Sequence, residues 1–272
     1  MEYCPLKSES SFFLTNMSTL KIDSDSMYRI DQMITKAQSI MFPEFEVHFG
    51  SCVFSRTEKQ SFHSFVQEEE FYSMLKKFQE LGGHKNLGCD VTKWEPSIDV
   101  IFASGVRMRK NPNTGCGEFM KKQTIMKEDI RIKNSPLDIR FILKTETPCH
   151  YRQNDEVVMV RARERIEIKI KNYSYCFTKV WSSRNFLELY KSKVRFEIEI
   201  EIINPKDASS SYLVQSLIMK AQDMLSFVYK DHMTNESCAL QDHHYNTSKR
   251  KLEHVQSRNG KKPKSFIFQQ TS

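Results

Sequence analysis

Two segments of this chain place glutamate at every second position of an otherwise apolar run, and this alternation restricts the fold more than any other feature. They are Pro43-Glu44-Phe45-Glu46-Val47-His48-Phe49-Gly50 and Arg195-Phe196-Glu197-Ile198-Glu199-Ile200-Glu201-Ile202. Side chains of a β-strand alternate between faces, so Glu44 and Glu46 share one face while Phe45, Val47 and Phe49 share the other. Glu197, Glu199 and Glu201 likewise line one face, backed by Phe196, Ile198, Ile200 and Ile202. Glutamate is a poor strand former, and same-face neighbours stand only about 6.5–7 Å apart along a strand. Like charges stacked in this way repel, and need water, cations or a metal to neutralise them. Either strand alone reads as the solvated outer face of an antiparallel sheet. If both charged faces point into one cavity, five carboxylates converge. All-oxygen ligation of that kind suits Mg2+ or Mn2+ rather than zinc.

Between the two acidic strands the alternation changes sign. Arg161-Ala162-Arg163-Glu164-Arg165 puts three arginines on one strand face, and Arg107 and Arg109 do the same in Gly105-Val106-Arg107-Met108-Arg109-Lys110. Lys122 lies on the strand that follows. In the segment from Asp138 to Glu146, residues Asp138, Arg140, Lys144 and Glu146 share a face. Arginine forks match phosphate oxygens bidentately, and lysine supplies a mobile point charge. Cross-strand surface salt bridges, each worth little, explain any one of these strands alone. Acidic strands at both ends of a sheet with basic strands in the middle meet the demand of phosphoryl chemistry: metal on one side of a polyphosphate and arginines on the other.

The surrounding pattern is α+β. Met27, Ile30, Met33, Ile34 and Ala37 are spaced for an amphipathic helix over 26–40, and a second helix over 68–81 is stopped by Gly82-Gly83. Strands are expected at 45–54, 98–110, 118–126, 137–146, 157–170, 173–181 and 193–203, with turns at Pro112-Asn113-Thr114-Gly115 and Lys171-Asn172. Residues 212–229 return to helical spacing. We therefore expect a loose segment 1–25, a catalytic domain 26–240 and a basic tail 241–272 carrying Lys249-Arg250-Lys251 and Lys261-Lys262-Pro263-Lys264. That tail reads first as a solvated terminus, with an RNA-backbone contact or a nuclear-import signal as the alternatives.

Composition narrows the class. Seven cysteines, an odd number with no Cys-x-x-Cys pair, argue against a disulfide framework or a structural zinc site and fit a reducing compartment. No segment approaches the roughly 20 apolar residues of a membrane span, so no membrane partner is expected. A net charge of +7 points to an anionic partner without choosing one.

These segments together resemble the metal-dependent RNA 5′-triphosphatases of fungi, protists and large DNA viruses, members of the triphosphate tunnel metalloenzyme superfamily. That family carries a Glu-x-Glu first strand, a Glu-x-Glu-x-Glu last strand and basic strands between. Glu44-Phe45-Glu46 with Phe49-Gly50 matches its opening motif, and Glu197, Glu199 and Glu201 match the closing one. Lys144-Thr145-Glu146-Thr147-Pro148 resembles the segment holding an active-site glutamate in viral members. Arg163 and Arg165 stand at the family's basic pair, and Arg107 stands at a phosphate-contacting arginine. The similarity runs over residues 43–203. Two positions depart from the pattern. Cys176 replaces an aspartate, and His48 stands where the CYTH branch has the lysine of Glu-x-Glu-x-Lys, which argues against that branch.

The resemblance implies an eight-stranded antiparallel β-barrel with flanking helices, whose lumen holds a triphosphate. Glu44, Glu46 and Glu201 would bind Mg2+ or Mn2+. Glu197 and Glu199 would orient metal-bound waters or the cationic side chains. Arg107, Arg163 and Arg165 would grip the phosphates, helped by Arg109, Lys122, Arg140, Lys144 and Arg161, and Glu146 would position the attacking water. The implied substrate is triphosphate-ended RNA, at the first step of mRNA capping. With no Lys-x-Asp-Gly motif in the chain, a guanylyltransferase would be a separate partner; a homodimer is a further expectation. The implied setting is intracellular: nuclear, or host cytoplasm for a viral chain. Two alternatives stand beside this reading: a nucleoside-triphosphate or polyphosphate phosphohydrolase of the same fold, and a non-catalytic tunnel-fold transcription subunit.

Overall fold

The computed structural model describes residues 21–54, 60–82, 90–150 and 154–228. The expected loose segment 1–25 falls outside them up to residue 20, and the basic tail 241–272 lies outside them entirely.

Helix α1 (Ser24–Ser39) begins at Asp23, whose side chain accepts a hydrogen bond of 2.8 Å from the Ser26 amide, the usual way of satisfying an orphan donor at a helix start. Strand β1 (Pro43–Phe54) follows, paired beyond Gly50 with the short β2 (Gln60–His63). Helix α2 (Glu68–Gly82) opens with three glutamates, which favour the positive end of the helix dipole. Then come β3 (Asp90–Val91), β4 (Glu95–Phe102), β5 (Val106–Lys110), β6 (Gly117–Ile130), β7 (Asp138–Pro148), β8 (Val157–Ile170), β9 (Tyr173–Ser183) and β10 (Arg195–Ile202). A third helix, α3, covers 210–228.

The expected strand 98–110 is two strands. Gly105, at φ 82°, turns the chain between them, and its amide donates 2.9 Å to the Phe102 carbonyl. β2 and β3 had not been expected at all; each is too short to show a period.

Eight of the strands form a closed ring. β1 pairs with β7, and the order continues β6, β5, β4, β8, β9 and β10, which pairs back onto β1. Every pairing is antiparallel. This closed eight-stranded barrel with flanking helices is the architecture that the family resemblance implies. The closing seam sets Glu46 opposite Glu201 and His48 opposite Glu199. Gly50 marks where β1 leaves the seam for β2. A Cβ there would lie 1.9 Å from the His63 carbonyl oxygen, so only glycine lets the two backbones approach.

The apolar core lies outside the barrel. Phe45, Val47, Phe49, Phe141, Leu143, Phe177, Ile198 and Ile200 turn outward and pack with Ile30 and Ile34 of α1, Phe71 and Met74 of α2, and Leu217 and Met224 of α3. Phe71 touches Phe177 and Phe196 edge-on or tilted, with ring centroids 5.6 and 5.0 Å apart. Each such side chain, fully removed from water, contributes about 1.5–3 kcal/mol. Because helices cover the apolar faces, strict alternation forces the polar faces inward. No helix of the described residues is long and apolar enough to cross a membrane.

Candidate active site

The inward faces enclose a cavity of about 550 Å3 lined almost wholly by charged side chains. β1 contributes Glu44, Glu46 and His48; β10 contributes Glu197, Glu199 and Glu201. Facing them are Arg107 and Arg109 of β5, Lys122 of β6, Lys144 and Glu146 of β7, and Arg161, Arg163 and Arg165 of β8. Thus both acidic strands turn into one enclosed space, with the cationic strands around it.

Burying so many charges costs several kcal/mol per ion unless each is paired and hydrogen-bonded, and the pairing here is extensive. Lys122 contacts Glu44 and lies 3.1 Å from Glu46, which Lys144 also contacts. His48 Nε2 stands 2.6 Å from Glu46 Oε2, and its Nδ1 lies 3.5 Å from Glu199 Oε1. Arg161 donates to both oxygens of Glu197, at 2.9 and 3.1 Å. Arg165 bridges Glu199 at 2.7 Å and Glu201 at 3.0 Å, while its Nε donates 3.0 Å to the Thr178 hydroxyl.

These contacts separate the carboxyl groups electrostatically. Burial works to raise Glu46, but His48, Lys122 and Lys144 outweigh it and hold this carboxyl well below the usual range. Glu199 is brought down to about 2, where His48 and Arg165 prevail over burial. Glu44 is pushed up to about 7 by burial and by the charge of Glu46. Glu201 is also raised by burial, despite Arg165. The protein itself thus favours the anionic form of Glu46 and Glu199, whereas burial works against the charge on Glu44 and Glu201.

An aspartate that the sequence reading passed over organises the opposite wall. Asp99 is fully buried. Arg109 donates to it at 3.1 Å, Arg163 at 3.3 Å, and Arg107 lies 3.6 Å away. Against burial, these guanidinium groups, Arg163 foremost, lower its pKa. One carboxylate thereby aims three arginines at the lumen.

Arg140 is the exception among the expected site residues. It shares the inward period of β7 but does not line the cavity. Its cross-strand neighbour on β6 is Asp129, which takes its guanidinium in two hydrogen bonds of 2.5 and 2.8 Å, and Phe62 stacks on it 4.6 Å away. The bidentate carboxylate occupies the Nε–Nη2 edge of the guanidinium and holds the side chain away from the cavity. Cys176 sits across from Glu199 on β9 and is fully buried. Its Sγ lies 3.6 Å from the Ser174 hydroxyl and 3.7 Å from Glu167, and burial pushes the thiol well above its ordinary range, so a neutral group stands at this position.

Among the described residues, two trios bring one ligand atom each within 4.8 Å: Glu46, His48 and Glu199, and Glu167, Cys176 and Glu201. A buried carboxylate oxygen in the cavity, Glu146 Oε1, also remains without a hydrogen-bond partner, with Arg109 4.0 Å away. A carboxylate-rich donor set of this kind fits a hard divalent cation. Glu44, Glu46 and Glu201, the metal ligands that the resemblance implies, all line the cavity, and Glu46 gathers with His48 and Glu199.

No protein-family model and no curated protein matches the sequence. Solved structures do. The Schizosaccharomyces pombe RNA triphosphatase Pct1 superposes with a TM-score of 0.63 at 17% identity, over 79% of this chain and 97% of that one. The same protein in complex with the Spt5 CTD gives 0.62 at 16% identity, over 76% and 96%. The RNA triphosphatase domain of the trifunctional mimivirus mRNA capping enzyme gives 0.56 at 15% identity, over 77% and 98%. At such identities the likeness is one of fold: the chain has the triphosphate-tunnel, RNA-triphosphatase-like fold.

Proposed function

We propose that this chain hydrolyses the γ-phosphate of triphosphate-ended RNA with the help of Mg2+ or Mn2+, leaving a diphosphate end for mRNA capping. The observation that carries this reading is the enclosure of Glu44, Glu46, Glu197, Glu199 and Glu201 with five arginines in one cavity. A structural barrel gains nothing from that arrangement, since charges so buried at best break even against an apolar lining.

In this reading Glu44, Glu46 and Glu201 hold the cation, and His48 and Glu199 stand within reach of Glu46 to share it. A divalent cation held there would supply charge neutralisation for the phosphate oxygens. The protein supplies the rest. Asp99 presents Arg107, Arg109 and Arg163 to the phosphate oxygens, and Glu197 and Glu199 hold Arg161 and Arg165 in place. The transferring group spreads negative charge over its equatorial oxygens, which these preorganised forks stabilise. Glu146, whose Oε1 is buried, makes no hydrogen bond and lies 4.0 Å from Arg109, orients the attacking water and accepts its proton. The new phosphorus–oxygen bond forms as the γ-phosphorus to bridging-oxygen bond breaks, and the electron pair leaves with the β-phosphate. No cysteine takes part.

The diphosphate end is the acceptor for a guanylyltransferase, and on this reading the reaction takes place in the nucleus or, for a viral chain, in the host cytoplasm. Release of inorganic phosphate from γ-labelled triphosphate-ended RNA tests the proposal. We expect release with Mg2+ or Mn2+ and none with chelator. Release from ATP or tripolyphosphate but never from RNA would favour the polyphosphatase alternative.

A further inference from the structure

A second cavity, of about 500 Å3, adjoins the first and shares Ser64, Arg161 and Glu197 with it. It lies at the end of the barrel reached by the start of β10, beyond Glu197 and away from Glu201. Its lining is of another kind. Phe65 and Met159 bring exposed apolar surface, and Arg184 and Arg195 bring exposed cations. Phe65 is 39% exposed, with the Arg195 guanidinium 5.7 Å from its ring centroid and His63 edge-on at 5.4 Å. Phe65 is also held in place: the next residue, Val66, is buried and bridges to β10, its amide donating 2.9 Å to the Phe196 carbonyl.

The two sets of arginines differ in one telling respect. Inside the barrel Arg107, Arg109, Arg161, Arg163 and Arg165 each meet a carboxylate. Among the described residues, Arg184 and Arg195 at the mouth meet none. An exposed ring on a fixed backbone beside unpaired guanidinium groups is what an unstacked base and its flanking phosphate need. A phosphate chain alone has no use for the ring.

We propose that this mouth is the binding site for the first nucleoside of triphosphate-ended RNA, the base stacking on Phe65. The triphosphate then passes Arg161 into the barrel, with its γ-phosphate directed toward Glu46 and Glu201. The RNA chain leaves over Arg184 and Arg195. Glu197 and Glu201 are two same-face steps apart, about 13–14 Å of strand, so the lumen has a long axis along which a triphosphate takes one direction. This inference rests on the phosphohydrolase reading above and deepens it: the nucleoside is recognised together with the phosphates.

Direct binding tests it without requiring turnover. The full chain is titrated with a fluorescent 5′-triphosphate oligoribonucleotide, followed by anisotropy, and the probe is displaced with tripolyphosphate or ATP. Phe65→Ala is expected to weaken both RNA and ATP roughly ten- to hundredfold, the worth of one lost base stack. Tripolyphosphate should compete as in the parent protein, and Phe65→Trp should bind RNA as the parent does. Arg184→Ala with Arg195→Ala should weaken RNA but not ATP, and should flatten the salt dependence of RNA binding. Unchanged RNA affinity in Phe65→Ala overturns the proposal, as does an equal loss for tripolyphosphate. If RNA binds through Phe65 but no phosphate is released, the hydrolase reading fails and the nucleoside site stands.

Discussion

His48 faces Glu199 across the seam that closes the barrel, with Nδ1 3.5 Å from the carboxylate, while its other nitrogen lies 2.6 Å from Glu46. One imidazole thus separates two buried carboxylates on adjacent strands. His48→Ala leaves Glu46 and Glu199 facing each other with that hydrogen bond gone. We expect it to lower stability by about 1–3 kcal/mol in cation-free buffer. Added Mn2+ should restore most of the loss. Urea unfolding with and without Mn2+ measures both, and midpoints that Mn2+ raises in neither protein would show that the seam does not take the ion.

Asp99 supports the opposite wall, and its effect on stability carries a definite sign with pH. Its folded value is depressed below the ordinary 3.8, so its contribution is present above about pH 4 and is lost as pH falls through the folded value. Asp99→Asn leaves Arg107, Arg109 and Arg163 without their shared anion. Destabilisation of about 3–5 kcal/mol at pH 7 is expected, narrowing below pH 4 as the parent loses the same charge. Denaturant midpoints at both pH values decide it, and a gap independent of pH would contradict the assignment.

Arg165 and Arg140 form an internal comparison. Arg165 spans Glu199, Glu201 and the Thr178 hydroxyl inside the cavity, whereas Arg140 is taken up by Asp129 outside it. A lysine cannot reproduce a three-way fork. Arg165→Lys should therefore slow phosphate release about a hundredfold, as loss of one preorganised donor does, with little change in fold. Arg140→Lys should leave the rate near that of the parent. Initial rates under saturating RNA separate the two, and equal losses would refute the placement of Arg140.

The contrast also shows what a sequence reveals. Glu44 and Glu46 were legible because a strand has period two, and Phe45, Val47 and Phe49 between them name the buried face. The same rule exposed Glu197 to Glu201 and the arginines of 161–165. Arg140 obeys the period as well, yet its partner Asp129 depends on the register between β6 and β7, which no local pattern encodes. Asp99 is a lone charge between Ile98 and Val100, and such a residue acquires meaning only when three arginines from two other strands converge on it. The break at 103–105 was hidden because apolar residues continue on both sides of it. His48 was visible only as a departure from a motif; its bridging role required the seam between the first and last strands.

The central claim is that the acidic strands and the arginines act together on a terminal phosphate. Its most direct test is a single-turnover reaction on triphosphate-ended RNA with Mn2+, in which the RNA ends are identified for the parent protein and for Glu46→Gln and Glu201→Gln. The account predicts a diphosphate end and inorganic phosphate from the parent. Each variant, still folded, should lose at least about 3–4 kcal/mol of transition-state stabilisation, which is a rate loss of 10²–10³ or more. A monophosphate end, or rates in both variants equal to the parent's, would contradict it.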